Sequence, residues 1–491
     1  MTRSRLLSLS IALVVVITAC AWLSPATPAS PTPAPPVSPT STPFATPAAA
    51  ATTPTRAARA PTASASPTLA LSPTPGAPPA TPTVTPPAPN PAYSLLTVRL
   101  QAVQISDDNG AHPVRLTPQQ VKQWVDKANE IYAMASVRLD YDPRLDFASL
   151  KSSVLNGMAG DTDPNWKREV EAGNRVAATY SGKLVVFFIH GRGASPTGGG
   201  FSSVDYNFVE MPGFDDTQVC GSQNIGILAH EIGHYFGLSH PFVQTFASLP
   251  AAELYLTAHG NDPQAFDGDG LSDTPPDPFI SLPTFQCQAT PSVTLNGRVF
   301  PLPRLNIMSY YYNAGVDRTE LTPQQANIMR WVLAVRAKSG MATPTNVGVP
   351  GAIEFANLPI KVKSGLAPGV QDMSGFGDAP RWAGDRQLFA SGQPGSLLGF
   401  QVSVPAAGKY QLNLYATLAP DFATLQTLVD GSPLGSPVDL YAPLVLPSGQ
   451  ISIGALELPA GAHTLSFRIT GKNAVSAGYS LGLNAFTLAP R

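Results

Sequence analysis

At 491 residues, with 43% hydrophobic and 13% charged side chains, the chain is long enough for two or three domains, each with its own core. Its 30 Lys and Arg stand against 32 Asp and Glu, a net charge of −2, so no field draws in nucleic acid or an anionic surface. Electrostatics exclude a nucleic-acid partner and name no other.

The first twenty residues, MTRSRLLSLSIALVVVITAC, place Arg3 and Arg5 ahead of an apolar run from Leu6 to Ile17, the layout of an export signal. Ile17-Thr18-Ala19-Cys20 resembles the lipobox of bacterial lipoproteins. That resemblance implies a signal peptide over 1–20, lipidation of Cys20 and a protein anchored at the outer face of the cell membrane. Leu6 to Leu23 also has nearly the length of a bilayer span, so a signal anchor is the alternative, with simple secretion a third outcome. Residues 21–92 are rich in Pro, Ala and Thr and hold 21 of the 52 prolines. Such a segment buries no core and is expected to be a disordered, polyproline-like stalk.

Globular sequence begins at Tyr93. LLTVRLQAVQI reads as a strand, and LTPQQVKQWVDKANEIYAMA as a helix with Thr117 as N-cap and Pro118 in the first turn. Val121, Trp124, Val125, Ala128, Tyr132 and Ala135 recur at helical spacing and predict one buried face. SVRLDYD and KLVVFFIH follow as strands, the second apolar enough to be central in a sheet.

LAHEIGHYFGLSHPF then concentrates three of the seven histidines. His230 and His234 are four apart, so on a helix their imidazoles project from one face and converge on one ion. Glu231 sits beside the first histidine, within reach of a metal-bound water. Gly237 lies where the helix should end, and its freedom to take positive φ allows a sharp turn that delivers His240. Three neutral nitrogens and an open fourth position describe a catalytic zinc site rather than a structural one. The alternative is a surface helix with incidental histidines.

FDGDGLSDTPPDP places Asp267, Asp269 and Asp273 around Gly268 and Gly270, a turn able to wrap oxygen ligands around calcium. Its plainer reading is an Asp/Gly surface turn. Further on come LNIMSYYY and a second LTPQQ, with Thr322 and Pro323 starting a last helix.

The extended histidine pattern resembles the metzincin motif. His-Pro-Phe after it, then GDGLSDTP, Asn-x-Met-x-Tyr and Leu-Thr-Pro-x-Gln, resemble the pappalysin-like metzincin peptidases. The resemblance covers about residues 93–340. It implies an α+β catalytic domain with a mixed sheet, an active-site helix and a Met-turn. Met308 would floor the metal and Tyr310 would approach it or the substrate oxyanion. The implied activity is that of a zinc metalloendopeptidase cutting a protein or peptide, with Glu231 as general base. With Cys20 lipidated, Cys220 and Cys287 are left as an even pair able to form a disulfide.

After a linker near residues 343–351, residues 352–491 alternate apolar and polar positions between Gly and Pro turns, as in an all-β sandwich. Gly-Lys-Tyr, Val-Asp-Gly and Ala-Gly-Ala-His-Thr-Leu resemble segments of the jelly-roll modules appended to secreted carbohydrate-active enzymes. That resemblance implies a polysaccharide partner, and a tract that can be removed without disturbing the metal site. Trp382, Tyr415 and Tyr441 are candidates to stack on sugars, or core aromatics. The expected organisation is therefore a signal peptide over 1–20, a linker over 21–92, a zinc peptidase domain over 93–342 and a sandwich over 352–491. The expected function is an extracellular, membrane-tethered zinc endopeptidase. The alternative is an adhesion or glycan-binding lipoprotein with an inactive metzincin domain.

Overall fold

The computed structural model describes residues 93–158, 165–190, 202–212, 218–219, 222–223, 226–288, 290–311, 318–376 and 380–491. The export signal, Cys20, the 21–92 stalk and Cys220 lie outside the described residues.

The first sheet is built from β1 (Leu96–Ser106), β2 (Val137–Asp140), β3 (Phe147–Lys151), β4 (Lys183–Ile189) and β5 (Phe208–Pro212). Its order is β2-β1-β4-β5, with β3 also alongside β1. KLVVFFIH becomes β4, central between β1 and β5, because both of its faces are covered. Leu184, Val186 and Phe188 join Val98, Leu100 and Ala102 on one face, while Val185, Phe187 and Ile189 join Val103 and Ile105 on the other. α1 (Pro118–Tyr132) and α4 (Ile227–Tyr235) share the core of the first face. α2 (Ser153–Asn156) and α3 (Trp166–Ala178) cover the second.

α1 buries Val121, Trp124, Val125, Ala128 and Tyr132, the face its spacing predicts. Its start is a capping box between Thr117 and Gln120. The same box, Thr322 with Gln325, opens α6 (Pro323–Lys338), so LTPQQ is one helix-start solution used twice. A further helix, α5 (Leu249–Ala258), and a hairpin of Ser292–Leu295 with Arg298–Pro301 build a satellite core around Phe246, Phe266 and Phe300.

Two further sheets follow α6. One has five strands: β6 (Ile360–Ser364), β7 (Leu397–Val404), β8 (Ala423–Val429), β9 (Ser432–Asp439) and β10 (Gly461–Lys472), in the order β6-β7-β10-β8-β9. The other has seven strands centred on Ser480–Pro490 and Gly408–Leu418. Leu398, Phe400, Leu412, Leu414, Phe467 and Phe486 fill the space between them.

The fold class differs from the expected metzincin α+β domain on two counts. Every described pairing in the first sheet is parallel, so it is not mixed. Helical crossovers through α1 and α3 return the chain in the same direction, and that is the physical cause. The described chain as a whole is also dominated by strands, with the sandwich as its largest β component. Among the described residues no helix is long and apolar enough to cross a membrane.

The sandwich is not detachable in the way its sequence texture suggests. Leu446 belongs to the core beneath α4, and Trp331 of α6 packs against both that core and the sandwich core. Arg381 forms a buried ion pair with Asp205, beside β5. A side chain on Gly237 would meet Leu444 at 2.7 Å and Val332 at 2.9 Å. The loop carrying Leu444 thus touches the turn that ends the histidine helix, and removing the tract exposes that turn.

Candidate metal centre and its surroundings

α4 carries His230 and His234 on one face, while Leu228, Ile232 and Tyr235 go into the core. The helix stops at Phe236, and Gly237 takes φ +88°, a conformation that only glycine adopts cheaply. The chain then reverses and brings His240 to the pair. The three Nε2 atoms lie 3.2 Å (His230 to His234), 3.0 Å (His234 to His240) and 3.2 Å (His230 to His240) apart. A tetrahedral zinc with bonds of about 2.0–2.1 Å holds its nitrogens about 3.4 Å apart, so the donor set fits the ion. Among the described residues this is the one group of three or more metal-ligating side chains that comes together.

Backbone carbonyls orient the rings. His230 Nδ1 donates to Ile307 O at 2.7 Å and His234 Nδ1 to Leu238 O at 2.7 Å, which leaves each Nε2 lone pair for a metal. Burial, reinforced by neighbouring histidine and Arg318 charge, pushes His230 and His240 well below the usual imidazole range. Burial holds His234 down to about 4. Neutral imidazoles are the form a metal needs.

Glu231 is buried at 2% exposure. Glu210 on β5 is held well above the usual carboxyl range by burial and then by the charges of Glu231 and Glu169. Met308 is fully buried under α4, and a Cβ on Gly233 would sit 2.7 Å from its Sδ. The ring of Tyr310 lies 4.6 Å from that of His240 and 5.6 Å from that of His230. His230, His234, His240, Met308 and Tyr310 therefore occupy one locality.

Asp267 and Asp269 lie side by side, burial and then the Asp267 carboxylate raising Asp269 to about 7, and with Asp273 they form no group of three ligating side chains among the described residues. Asp267 Oδ1 accepts from the backbone of Asp269 and Gly270, Asp269 from Thr274 Oγ1 and the Leu271 amide, and Asp273 from the Gln324 amide. Each of the three carboxylates thus accepts from the chain's own donors. Cys287 takes part in a disulfide, while Cys220, its expected partner, lies outside the described residues. Trp382 and Tyr415 are buried core aromatics, Trp382 donating to Thr417 Oγ1, so neither is a sugar platform.

Three supporting residues escape a reading by motif. Asn306 Oδ1 accepts from the Met308 amide at 2.9 Å, and its Nδ2 donates to Gln325 Oε1 at 2.9 Å, which ties the methionine turn to α6. Buried Arg318 donates to the carbonyls of Ile307 and Ser309, on the segment that orients His230. Gly233 admits Met308. The signal for Asn306 was present in Asn-x-Met, but the reason for it is a contact across 19 residues.

Asp277 supplies a pH prediction. It is fully buried, Tyr311 donates to its Oδ1 at 2.6 Å, and among the described residues its Oδ2 has no hydrogen-bond partner. Burial raises its pKa to about 7. The folded state therefore keeps a proton that the unfolded chain gives up above about 3.9, and this contribution to stability falls as pH rises from about 4 to about 7. Its steepest slope is about 1.4 kcal/mol per pH unit. Asp277→Asn should remove that slope from denaturation curves taken across pH, and an unchanged slope would refute the assignment.

No family model matches the chain, and no curated protein matches it. Solved structures do. A xanthan lyase from Paenibacillus is 22% identical over 30% of this chain and 14% of its own, with a TM-score of 0.26. The family 35 carbohydrate-binding module from Clostridium thermocellum is 17% identical over 29% of this chain and 99% of its own, with a TM-score of 0.21. A Podospora anserina GH26-CBM35 mannanase is 16% identical over 28% and 27%, with a TM-score of 0.19. The chain thus spans only a small part of the lyase and the mannanase.

These similarities are to carbohydrate-binding modules and glycan-active enzymes, not to metzincins. On that finding the pappalysin-like metzincin assignment is corrected, together with the metalloendopeptidase activity and the peptide substrate it implied. The physical reason is that histidine spacing and a turn glycine encode how three imidazoles meet one ion. They do not encode which bond is brought to it.

Proposed function

We propose that this is an exported, surface-tethered glycan-binding protein that holds zinc on His230, His234 and His240 and hydrolyses an acyl group carried by its glycan. The observation that carries the zinc centre is the convergence of the three Nε2 atoms within 3.0–3.2 Å. A zinc ion bound there supplies a Lewis acid that lowers the pKa of water to about 7. Glu231, buried next to His230 in the sequence, is the group to take a proton and return it to the leaving oxygen or nitrogen. Tyr310, beside His240, is the donor available to a developing oxyanion. Carbonyl carbon is an electrophile such a set serves, and an acyl group is the proposed substrate.

The outward face of β7 and β10 supports glycan binding. Leu398, Phe400, Val402, Leu465, Phe467 and Ile469 point into the sandwich, so Gln401, Ser403, Thr464, Arg468 and Thr470 point out. Gln401 pairs with Thr464 across the ladder, and Arg468 with Leu397. A row of amide, hydroxyl and guanidinium groups matches the hydrogen-bonding demands of sugar hydroxyls.

Affinity electrophoresis through gels of acetylated polysaccharides tests the binding. The full chain should be retarded, and Gln401→Ala with Arg468→Ala should weaken retention about tenfold, or about 1.4 kcal/mol. Zinc-loaded protein should release acetate from the retained polysaccharide. Unretarded migration in every gel, or hydrolysis confined to a peptide library, would overturn the reading.

The tether is proposed on Ile17 to Cys20. Protein made in a bacterial host should partition with membranes and incorporate labelled palmitate, and Cys20→Ser should abolish the label. A label that persists in the serine variant refutes lipidation at this cysteine.

A further inference from the structure

β1 and β4 are parallel neighbours. After β1 the chain crosses through α1 to β2 on one side of it, whereas after β4 it goes to β5 on the other. The order therefore reverses between β1 and β4, and in open parallel sheets the carboxyl ends of two such strands leave a crevice. A cavity of about 560 Å³ lies there, lined among others by Asp107, His112, Asn156, Arg168, Glu169 and His190. Asp107 directly follows β1 and His190 directly follows β4. None of these residues belongs to the zinc centre, and α2 and α3, which border the cavity, cover the sheet face opposite to α4.

The lining is braced from below. Asn156, 2% exposed, donates to Asp107 Oδ1 at 2.8 Å and to His112 O at 3.0 Å, and its Oδ1 accepts from the His190 amide at 2.9 Å. One buried amide thus holds both strand ends and the intervening loop. Asp107 Oδ2 accepts from His112 Nδ1 at 2.6 Å, which fixes the tautomer and leaves Nε2 uncommitted. His112 sits at φ 46°, a conformation costly for a residue with a Cβ, and its ring stacks on that of His190 at 5.3 Å and 20°. Arg168, exposed in the first turn of α3, has no ion-pair partner among the described residues. The Asp107 carboxylate keeps its charge, its pKa lowered by the hydrogen bonds from Asn156 and then His112, and among the described residues it forms no ion pair with Arg168.

We propose that this crevice is a second binding site, for an oxyanion held by Arg168 together with the imidazoles of His112 and His190. The ligand class is a small molecule or sugar bearing a carboxylate or a phosphate. Arg168 supplies a planar pair of donors suited to either anion, His190 adds a ring N–H, and His112, with its Nδ1–H committed to Asp107, offers Nε2 to a protonated oxygen of the ligand. The cavity volume is that of a small-ligand pocket rather than of a surface ion site. The inference is independent of what the zinc centre hydrolyses.

Full-length protein labelled with nitrogen-15 in histidine can be titrated separately with inorganic phosphate and with glucuronate, following the imidazole resonances. A saturable shift of His112 and His190, with a Kd of about 1 mM or tighter, is expected in at least one arm. Saturation by phosphate alone assigns a phosphoryl ligand, by glucuronate alone a carboxylate, and by both a general oxyanion site. Arg168→Gln and, separately, His190→Gln alter exposed side chains, so both variants should fold and keep their zinc content while weakening binding at least tenfold. The proposal is overturned if neither anion moves the two histidines, if the shifts grow linearly without saturating, or if Arg168→Gln titrates like wild type.

Discussion

Replacing His234 with alanine is expected to abolish zinc binding together with the zinc-dependent part of the thermal stability. His234 Nε2 lies 3.2 Å from that of His230 and 3.0 Å from that of His240, so every pair it forms is lost and two nitrogens remain. A ligand that binds only the folded state stabilises it by about 4 kcal/mol at a thousandfold excess over its Kd. Wild-type protein should gain melting temperature on adding zinc, and the alanine variant should gain none. Glu231→Gln separates the metal from the proton. The amide is isosteric and the three histidines are untouched, so zinc content should stay at one per chain. Hydrolysis should fall by about 10²–10⁴, the usual loss when general acid-base catalysis is removed. Metal analysis and acetate release from one preparation read both effects. A His234→Ala protein that still holds one zinc would refute the centre, and a Glu231→Gln protein with wild-type turnover would refute the role of the carboxylate.

The convergence of the three histidines was legible because its information is local. His230, His234, Gly237 and His240 fall within eleven residues, and helix geometry converts that spacing into convergence without help from elsewhere. The buried face of α1 and the two helix starts at Thr117 and Thr322 were legible for the same reason. Sheet direction was not, because parallel or mixed pairing depends on how crossovers return the chain, and KLVVFFIH reads alike in either. The attachment of the sandwich was hidden as well. Leu444 lies 207 positions after Gly237, and nothing in an alternating β pattern announces a contact with a distant helix end. Trp382 and Tyr415 show the limit of reading aromatics by type, since burial alone separates a core ring from a sugar platform. The acidic turn is the most instructive difference. Its Asp and Gly composition suggested a cation, and its contacts add a packing role against the segment carrying His240.

Gly268→Ala is therefore expected to cost more than any change in the carboxylates beside it. Gly268 is not at positive φ, so its constraint is space rather than conformation. A Cβ there would lie 2.2 Å from Phe242 O, 2.3 Å from Phe242 C and 2.7 Å from His240 O. All three are backbone atoms, which cannot rotate away as a side chain would. The same strip of chain is tied to the turn by a bridge between Phe242 and Asp267 and by donation from the Gly268 amide to Pro241 O at 3.2 Å. The His240 ring stacks on Phe242 at 4.8 Å and 6°, so any shift of Phe242 carries the third zinc ligand with it. One added methyl must separate the two segments and break this bridge, at about 3 kcal/mol or more. Zinc affinity should fall with it, because the third nitrogen no longer meets the other two. Gly270→Ala is the control. It sits at φ +69° with open space around it, so it should lose only the about 1–2 kcal/mol of left-handed strain and keep wild-type zinc affinity. Chemical denaturation and competitive zinc titration of the two variants side by side decide the matter. Equal losses in both, or unchanged zinc affinity in Gly268→Ala, would show that the acidic turn does not position His240.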